Sequence, residues 1–171
     1  MPIPGSATPD ATDAYRARVA ATAAPEHFRF LAGCRLSSVG IGTYLGAEDD
    51  ATARSYYHAV SKAVERGGNV IDTAINYRLQ RSERVIGLAL RDLIARGAAK
   101  REEVVIATKG GFVPFDGAAP PDPGGYVVDT YIRTGLLTAD DVAAGCHAIA
   151  PKYLADQLER SLRNLGIQTL D

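Results

Sequence analysis

Three ionisable side chains follow short apolar segments that the sequence predicts to be strands. Asp72 lies near the end of residues 69–73, Tyr77 is five residues further on, and Lys109 directly follows residues 103–108. Neighbouring parallel strands are about 4.8 Å apart, so this carboxylate and this ammonium can pair, with the tyrosine beside them. An ammonium next to a phenol favours the phenolate. The phenol can then exchange a proton with a substrate oxygen, as carbonyl reduction or alcohol oxidation requires.

Each of these residues also has a purely structural interpretation. An Asp-Thr pair at a strand end often forms a turn or caps the following helix. A lysine after an apolar strand is often a solvated strand end, and a tyrosine in a loop often packs at a rim. The functional interpretation depends on all three side chains occurring at corresponding ends of neighbouring strands.

The elements that must position these side chains recur regularly. Predicted strands start near residues 36, 69 and 103, a spacing that accommodates one strand, one helix and two loops. Successive units of this kind form a parallel sheet, either doubly wound or closed into a barrel. The sequence therefore predicts an α/β fold.

Three amphipathic helices accompany these strands. The first covers residues 50–66 with Asp49 or Asp50 as its N-cap, the second is capped by Ser82, and the third starts at Pro151 and ends at Gly166. The third helix carries one leucine stripe: Leu154, Leu158, Leu162 and Leu165.

The remaining segments define the domain organisation. Residues 1–26 are predicted to form an N-terminal arm outside the core, with a short helix from about Asp13 to Ala23 capped by Asp10 or Thr12. Residues 27–171 form one domain that opens with a hairpin over 28–39. Residues 112–149 are a Pro- and Gly-rich insertion expected to cover a functional face. Residues 167–171 resemble the opening of a fourth strand, so we expect only about half of a barrel of about 250 residues here.

Composition excludes several classes of protein. The chain has 19 Lys and Arg against 20 Asp and Glu, which argues against nucleic acid or an anionic membrane as the main partner. No apolar run has the length of a membrane span, and the first residues lack a signal-peptide pattern. The cysteines, Cys34 and Cys146, give no disulfide framework, and His147 beside Cys146 lacks metal-ligand spacing. We expect a cytoplasmic protein without a metal site.

Several motifs together resemble the aldo-keto reductases. They are VGIGTY at 39–44, GNVIDTAINY at 68–77, SERVIG at 82–87, IATK at 106–109, and LERSLRNLG at 158–166 ahead of TLD at 169–171. Asp-Thr-Ala-x-x-Tyr followed in register by Ser-Glu and Thr-Lys is a specific combination. The resemblance covers residues 28–111 and 150–171.

This resemblance implies a (β/α)₈ barrel of the TIM type, closed at the bottom by the hairpin. It also implies NADPH bound along the top, with NADH equally compatible with these residues. By motif position, Tyr77 would be the proton donor and Asp72 and Lys109 would tune it. Gly42, Thr43 and Asp72 would lie along the nicotinamide-ribose end of the cofactor, and Tyr44 would face the substrate.

The sequence also departs from the family pattern. The family's catalytic histidine follows strand four, and His27, His58 and His147 do not match that position. Arg78 and Gln80 stand where glycines are frequent, so we expect a stiffer loop after the tyrosine.

Three functions remain open at this point. The first is an NAD(P)H-dependent oxidoreductase that reduces aldehydes and ketones, or acts in reverse on sugars. Its partners would be a small carbonyl or sugar substrate and the remainder of its own barrel, and the 171-residue chain would be inactive alone. The second is a truncated or non-catalytic fragment that binds the cofactor. The third is another barrel enzyme, such as a sugar isomerase or lyase. Such an enzyme would carry carboxylate or histidine metal ligands at its strand ends, and the predicted strand ends have none besides Asp72.

Overall fold

The computed structural model describes residues 1–171, apart from the side chain of Pro25. Its helices and strands follow one another as α1 Pro9–Arg18, β1 Phe28–Leu31, β2 Cys34–Ser37, β3 Ile41–Gly42, α2 Asp50–Glu65, β4 Val70–Asp72, α3 Arg81–Ala95, β5 Val105–Ala107, α4 Pro123–Val127 and α5 Pro151–Leu165. This alternation confirms the predicted α/β class. The strand start predicted near residue 36 belongs to the hairpin strand β2, and the first parallel strand starts at Ile41.

The central sheet is parallel, with strand order β3-β4-β5. Ile71 lies between Ile41 and Ile106, and one residue further on Gly42, Asp72 and Ala107 form a second row. Ile71 and Ile106 are fully buried, whereas Asp72 and Ala107 are exposed where their strands end. The sheet therefore buries its middle and presents its carboxyl edge to solvent.

The predicted hairpin is confirmed, because β1 and β2 pair antiparallel. The fully buried Asn69 joins the hairpin to the amino end of the sheet. Its amide nitrogen donates to the carbonyls of Arg35 (2.9 Å) and Glu103 (3.1 Å), and its Oδ1 accepts from the Ser37 amide at 2.8 Å. The hairpin thus closes the end of the sheet opposite to Asp72.

Helix α2 begins as predicted, with the Asp49 side chain accepting from the Thr52 amide at 2.7 Å. The prediction that Ser82 caps α3 is wrong. The N-cap is Gln80, which has a left-handed backbone and no side-chain cap hydrogen bond. The Ser82 hydroxyl instead donates to the Thr43 carbonyl at 2.7 Å, because residue 82 already lies inside the first turn of the helix.

The expectation that the N-terminal arm lies outside the core is also wrong. Its helix is α1, four residues earlier than predicted and capped by Thr8 rather than Asp10 or Thr12. Tyr15 is fully buried and belongs to the main hydrophobic cluster. Its hydroxyl donates to the Val64 carbonyl at 2.6 Å, so one specific side chain anchors a segment that shows little apolar periodicity.

The insertion 112–149 contains α4 and a turn of π-helix over Val128–Ile132. It buries Tyr131 and Leu137 in a second hydrophobic cluster, to which Tyr153 of α5 also belongs. Thr138 opens a short 3₁₀ turn over Ala139–Asp141, and its backbone amide and its hydroxyl both donate to Asp141 Oδ2 at 2.7 Å.

Helix α5 spans the predicted residues and ends at a left-handed Gly166. Two members of its leucine stripe, Leu154 and Leu158, are exposed. The buried side carries Gln157, which accepts from the Gly111 amide at 2.7 Å and donates to the Phe112 carbonyl at 3.1 Å. These polar contacts with the strand β5 end set the rotation of the helix.

Residues 167–171 approach β5 only at their end. Ile167 forms a parallel bridge with Ile3, and the Asp171 carboxylate accepts from the Ile106 amide (2.9 Å) and from Arg101 (2.7 Å). Within the described part of the chain, no helix is both long and apolar enough to cross a membrane.

Candidate active site

Asp72 and Lys109 meet at the carboxyl edge of the sheet, as predicted. Asp72 ends β4, and Lys109 lies two residues beyond Ala107, its neighbour on β5. The Lys109 Nζ lies 2.7 and 2.8 Å from the two carboxylate oxygens of Asp72 and 2.8 Å from the Thr73 carbonyl oxygen. The two Asp72 oxygens belong to one carboxylate and share one side of the ammonium, while the Thr73 carbonyl oxygen accepts on another side.

The Asp72–Lys109 pair is half exposed, with 51% and 49% of the side-chain surfaces accessible. Burial lowers the pKa of Lys109, but its interactions with Asp72 and Tyr77 raise it by more, so the pKa lies above its ordinary value. Lys109 therefore carries a full positive charge over the whole physiological pH range.

Tyr77 lies beside this pair and is half-buried. The Lys109 Nζ is 5.0 Å from the centroid of its ring. A short turn after β4 sets the position of Tyr77. In this turn the Ile75 backbone amide donates to the Lys109 carbonyl (3.3 Å), and the Tyr77 backbone amide donates to the Ala74 carbonyl (3.1 Å). The structure thus brings together the carboxylate, the ammonium and the phenol.

Tyr44 completes the group on the β3 side. Its ring packs edge to face against Tyr77, with centroids 4.9 Å apart and an angle of 60° between the planes. Tyr44 is itself 64% exposed. The Tyr44 ring therefore borders one side of the candidate proton donor, Tyr77, and is accessible to solvent.

Gly42 and Thr43 lie at the same edge, but they differ in accessibility. Gly42 is exposed, and a Cβ built on it would have no atom within 4 Å. Thr43 is fully buried, and its hydroxyl lies 2.9 Å from Thr73 Oγ1 and 3.3 Å from the Asp72 carbonyl oxygen. Open space for a ligand therefore exists above Gly42, whereas the Thr43 side chain stabilises the strand ends from inside.

The three residues after Tyr77 form a left-handed turn. Arg78, Leu79 and Gln80 have φ angles of 48°, 56° and 68°. Left-handed backbone costs about 1 kcal/mol or more at each non-glycine residue. Tertiary contacts must offset this cost, and the expectation of a stiffer loop at Arg78 and Gln80 has its structural basis here.

Part of that compensation comes from a buried polar network behind the turn. The Asn164 amide nitrogen donates to Gln80 Oε1 and to Glu83 Oε2, each at 3.0 Å. The other Glu83 oxygen accepts from the Thr108 hydroxyl at 2.7 Å. Since Thr108 precedes Lys109, this network connects α5, the start of α3 and the end of β5.

Sequence reasoning missed the roles of Thr73, Arg78 and Glu83. Thr73 acts through its backbone carbonyl, which side-chain patterns do not reveal. Glu83 could have been found, because it lies one turn before Ile86 on the inward face of an apolar helix. Arg78 carried a signal as well, since a bulky residue at a position where glycine is frequent implies a compensating contact.

The three histidines and two cysteines lie elsewhere. His27 Nε2 is 3.2 Å from the Gly67 carbonyl oxygen at the hairpin end, His58 is exposed on α2, and the His147 ring packs on Phe112 with centroids 5.0 Å apart. Cys34 and Cys146 are free. No group of three metal-ligating side chains occurs among the described residues.

Comparison with known proteins agrees with this geometry. The model of the aldo/keto reductase family matches residues 38–171. A relative, aldo-keto reductase family 1 member C1 of Macaca fuscata fuscata, is 27% identical over 133 residues, which make up 78% of this chain and 29% of the relative.

Solved structures show the same fold. An aldo-keto reductase complexed with NADPH is 24% identical, with a TM-score of 0.53 over 84% of this chain and 34% of its own. One from Klebsiella pneumoniae, in complex with NADPH, is 24% identical with a TM-score of 0.51, over 84% of this chain and 36% of its own. The chain spans about a third of the length of these proteins, and its fold is part of their TIM barrel. With four fifths of its residues covered by the family model, the chain belongs to the aldo/keto reductase family.

Proposed function

We propose that this chain supplies the proton-transfer side chains of an NAD(P)H-dependent oxidoreductase. The reaction is reduction of an aldehyde or ketone to an alcohol, or its reverse on a sugar. The observation that carries the proposal is the Lys109 ammonium, bound to both oxygens of Asp72 and placed 5.0 Å from the Tyr77 ring centroid.

Tyr77 is the proposed proton donor to the carbonyl oxygen. As its proton leaves, negative charge develops on the phenol oxygen, and the neighbouring ammonium of Lys109 stabilises that charge. Asp72 holds the ammonium in place through two charge-assisted hydrogen bonds. The Thr73 carbonyl oxygen accepts a further hydrogen bond from the ammonium, so Lys109 acts through its charge while Tyr77 transfers the proton.

The carboxyl edge also suits a nicotinamide cofactor. When bound, the cofactor supplies the hydride that converts the carbonyl carbon. Gly42 leaves open space, and the half-exposed carboxylate of Asp72 can accept hydrogen bonds from ribose hydroxyls. Thr43 contributes by fixing this edge from below. The two solved structures described above contain NADPH, and NADPH is the cofactor we propose, with NADH as the second one to assay.

Substitution of Tyr77 tests this function. Tyr77→Phe removes only the hydroxyl, so NADPH-dependent reduction should slow by at least about 100-fold, the lower end for loss of a general acid. Tyr57→Phe is the matched control, because it removes a hydroxyl from α2. Both variants are assayed in the 171-residue chain and in the product of the complete reading frame that contains it. A Tyr77→Phe enzyme that keeps the parental rate contradicts the assignment.

The second candidate function is cofactor binding without turnover. The half-exposed state of the Asp72–Lys109 pair favours it, because proton transfer profits from exclusion of water. The two functions differ in one measurement. A protein that binds NADPH by fluorescence titration, yet oxidises none with a panel of aldehydes, ketones and sugars, has the second function. Both cysteines are free, so we propose the reducing cytoplasm as the compartment for either function.

A further inference from the structure

The segment 44–49 is exposed along its whole length, so apolar burial does not hold it. Instead, three of its backbone carbonyls accept hydrogen bonds from two side chains. The Tyr56 hydroxyl donates to Leu45 at 2.7 Å, and the Arg78 guanidinium donates through Nε to Ala47 at 2.8 Å and through Nη2 to Asp49 at 3.2 Å. The conformation of this segment depends on these contacts.

Arg78 is only 5% exposed, although it follows the candidate proton donor directly. Its guanidinium carbon lies 5.1 Å from the centroid of the Tyr56 ring, so the two side chains that hold the segment also contact each other. Arg78 borders a cavity of about 430 Å³ whose lining also includes Tyr44, Glu48 and Asn76. The cavity therefore adjoins the Tyr44–Tyr77 ring pair.

We propose that Arg78 is a positioning residue, which fixes the segment 44–49 and thereby sets the Tyr44 ring against Tyr77. The side chain starts at the residue after Tyr77 and ends on the segment that begins with Tyr44. It thus connects the two sides of the ring contact. The catalytic consequence rests on the proposed function, whereas the structural consequence does not.

The chemistry of arginine explains why this residue serves at a costly backbone position. A planar guanidinium presents donors in a fixed fork and stacks on an aromatic ring, so one side chain can reach two carbonyls and the Tyr56 ring together. Lysine has a single point charge and lacks the fork. Glycine relieves the left-handed backbone of residue 78 but removes every contact with the segment.

Nuclear magnetic resonance of the 171-residue chain tests the positioning role without any assay of activity. The parent should show a nuclear Overhauser effect between the rings of Tyr44 and Tyr77. In Arg78→Gly this signal should disappear. The backbone order parameters of residues 44–49 should fall from the rigid value of about 0.85 towards the flexible range below about 0.6, because the two carbonyl contacts of Arg78 are lost. Arg78→Lys should behave like Arg78→Gly. In the control Arg81→Ala, which removes a pair with Asp50, both signals should stay unchanged.

Tyr56→Phe provides an independent variant with the turn intact. It deletes the hydrogen bond to Leu45 and keeps the ring under the guanidinium, so the order parameters should fall at the start of the segment and less at Asp49. A Tyr44–Tyr77 signal and high order parameters that persist in both Arg78 variants overturn the proposal.

Kinetics of the active protein provide the functional readout. Arg78→Gly should raise KM by about tenfold and leave kcat within about twofold. The reason is that a displaced Tyr44 ring weakens binding of the substrate in the ground state and in the transition state alike. A loss confined to kcat overturns the proposal that Arg78 acts by positioning the Tyr44 ring. A parent without turnover contradicts the proposed function only, since the resonance experiment still decides the role of Arg78.

Discussion

Gly87 of α3 lies in close contact with the backbone of α5, and Gly87→Ala should destabilise the protein. A Cβ at residue 87 would lie 2.5 Å from the Leu165 carbonyl oxygen and 2.8 Å from its carbonyl carbon. In an exposed helix the same change would stabilise by about 1 kcal/mol. Overpacking costs about 1–3 kcal/mol, and the obstacle here is backbone, which no rotamer change removes. We expect a net loss of about 2 kcal/mol, taking the upper end of that range.

The assay is urea unfolding followed by far-ultraviolet circular dichroism. With a slope of about 2 kcal/mol per molar urea, the midpoint should fall by about 1 M. Gly124→Ala is the control, because the nearest atom to its Cβ position is 3.5 Å away, and its midpoint should stay close to the parent's. A second variant, Leu165→Ala added to Gly87→Ala, should give no rescue, since it removes side-chain and not backbone atoms. Unchanged or increased stability of Gly87→Ala would refute the steric argument.

Two further predictions concern pH and the N-terminal arm. The Arg84 guanidinium, 2.7 and 2.9 Å from the two Asp116 oxygens, lowers the pKa of Asp116 from its ordinary 3.8. The stability from this exposed pair, under about 1 kcal/mol, is present above that value and lost as pH falls through the lowered pKa, so the gap between parent and Asp116→Asn in urea unfolding should narrow as the pH falls below 3.8. Burial raises the pKa of Tyr15 to about 12, so ionisation opposes folding above the ordinary value of about 10. Tyr15→Phe should cost about 1 kcal/mol at neutral pH, and its thermal melts should lack the loss of stability that the parent shows between these two values.

The sequence was sufficient for the elements that carry a periodic signal. The alternation of strands and helices placed Asp72 and Lys109 on neighbouring strand ends, and the structure confirms their ion pair. This works because parallel strands in successive βα units all end at one edge. The roles of these residues in a reaction stay predictions.

Features that depend on tertiary contacts were beyond sequence reasoning. Ser82 has a residue type that favours a cap, but the buried contacts of Arg78 and Gln80 impose a left-handed turn that starts the helix at Arg81. The leucine stripe of α5 indicates which residues share a face of the helix. Which face turns inward depends on the hydrogen bonds of Gln157 with Gly111 and Phe112, which the stripe does not reveal. Tyr15 lies in a segment without apolar periodicity, so nothing local indicated its burial.

The hydrogen bonds of Lys109 have a chemical consequence for the class of reaction. A lysine that forms a covalent imine with a carbonyl compound must first present an unprotonated amine with a free electron pair. Lys109 has a raised pKa, and its ammonium is paired with the Asp72 carboxylate and donates to the Thr73 carbonyl. As a protonated ammonium it has no electron pair to offer. This edge of the sheet is unsuited to aldolase-type condensation through Lys109, and an incoming carbonyl carbon stays free of covalent attachment to the lysine.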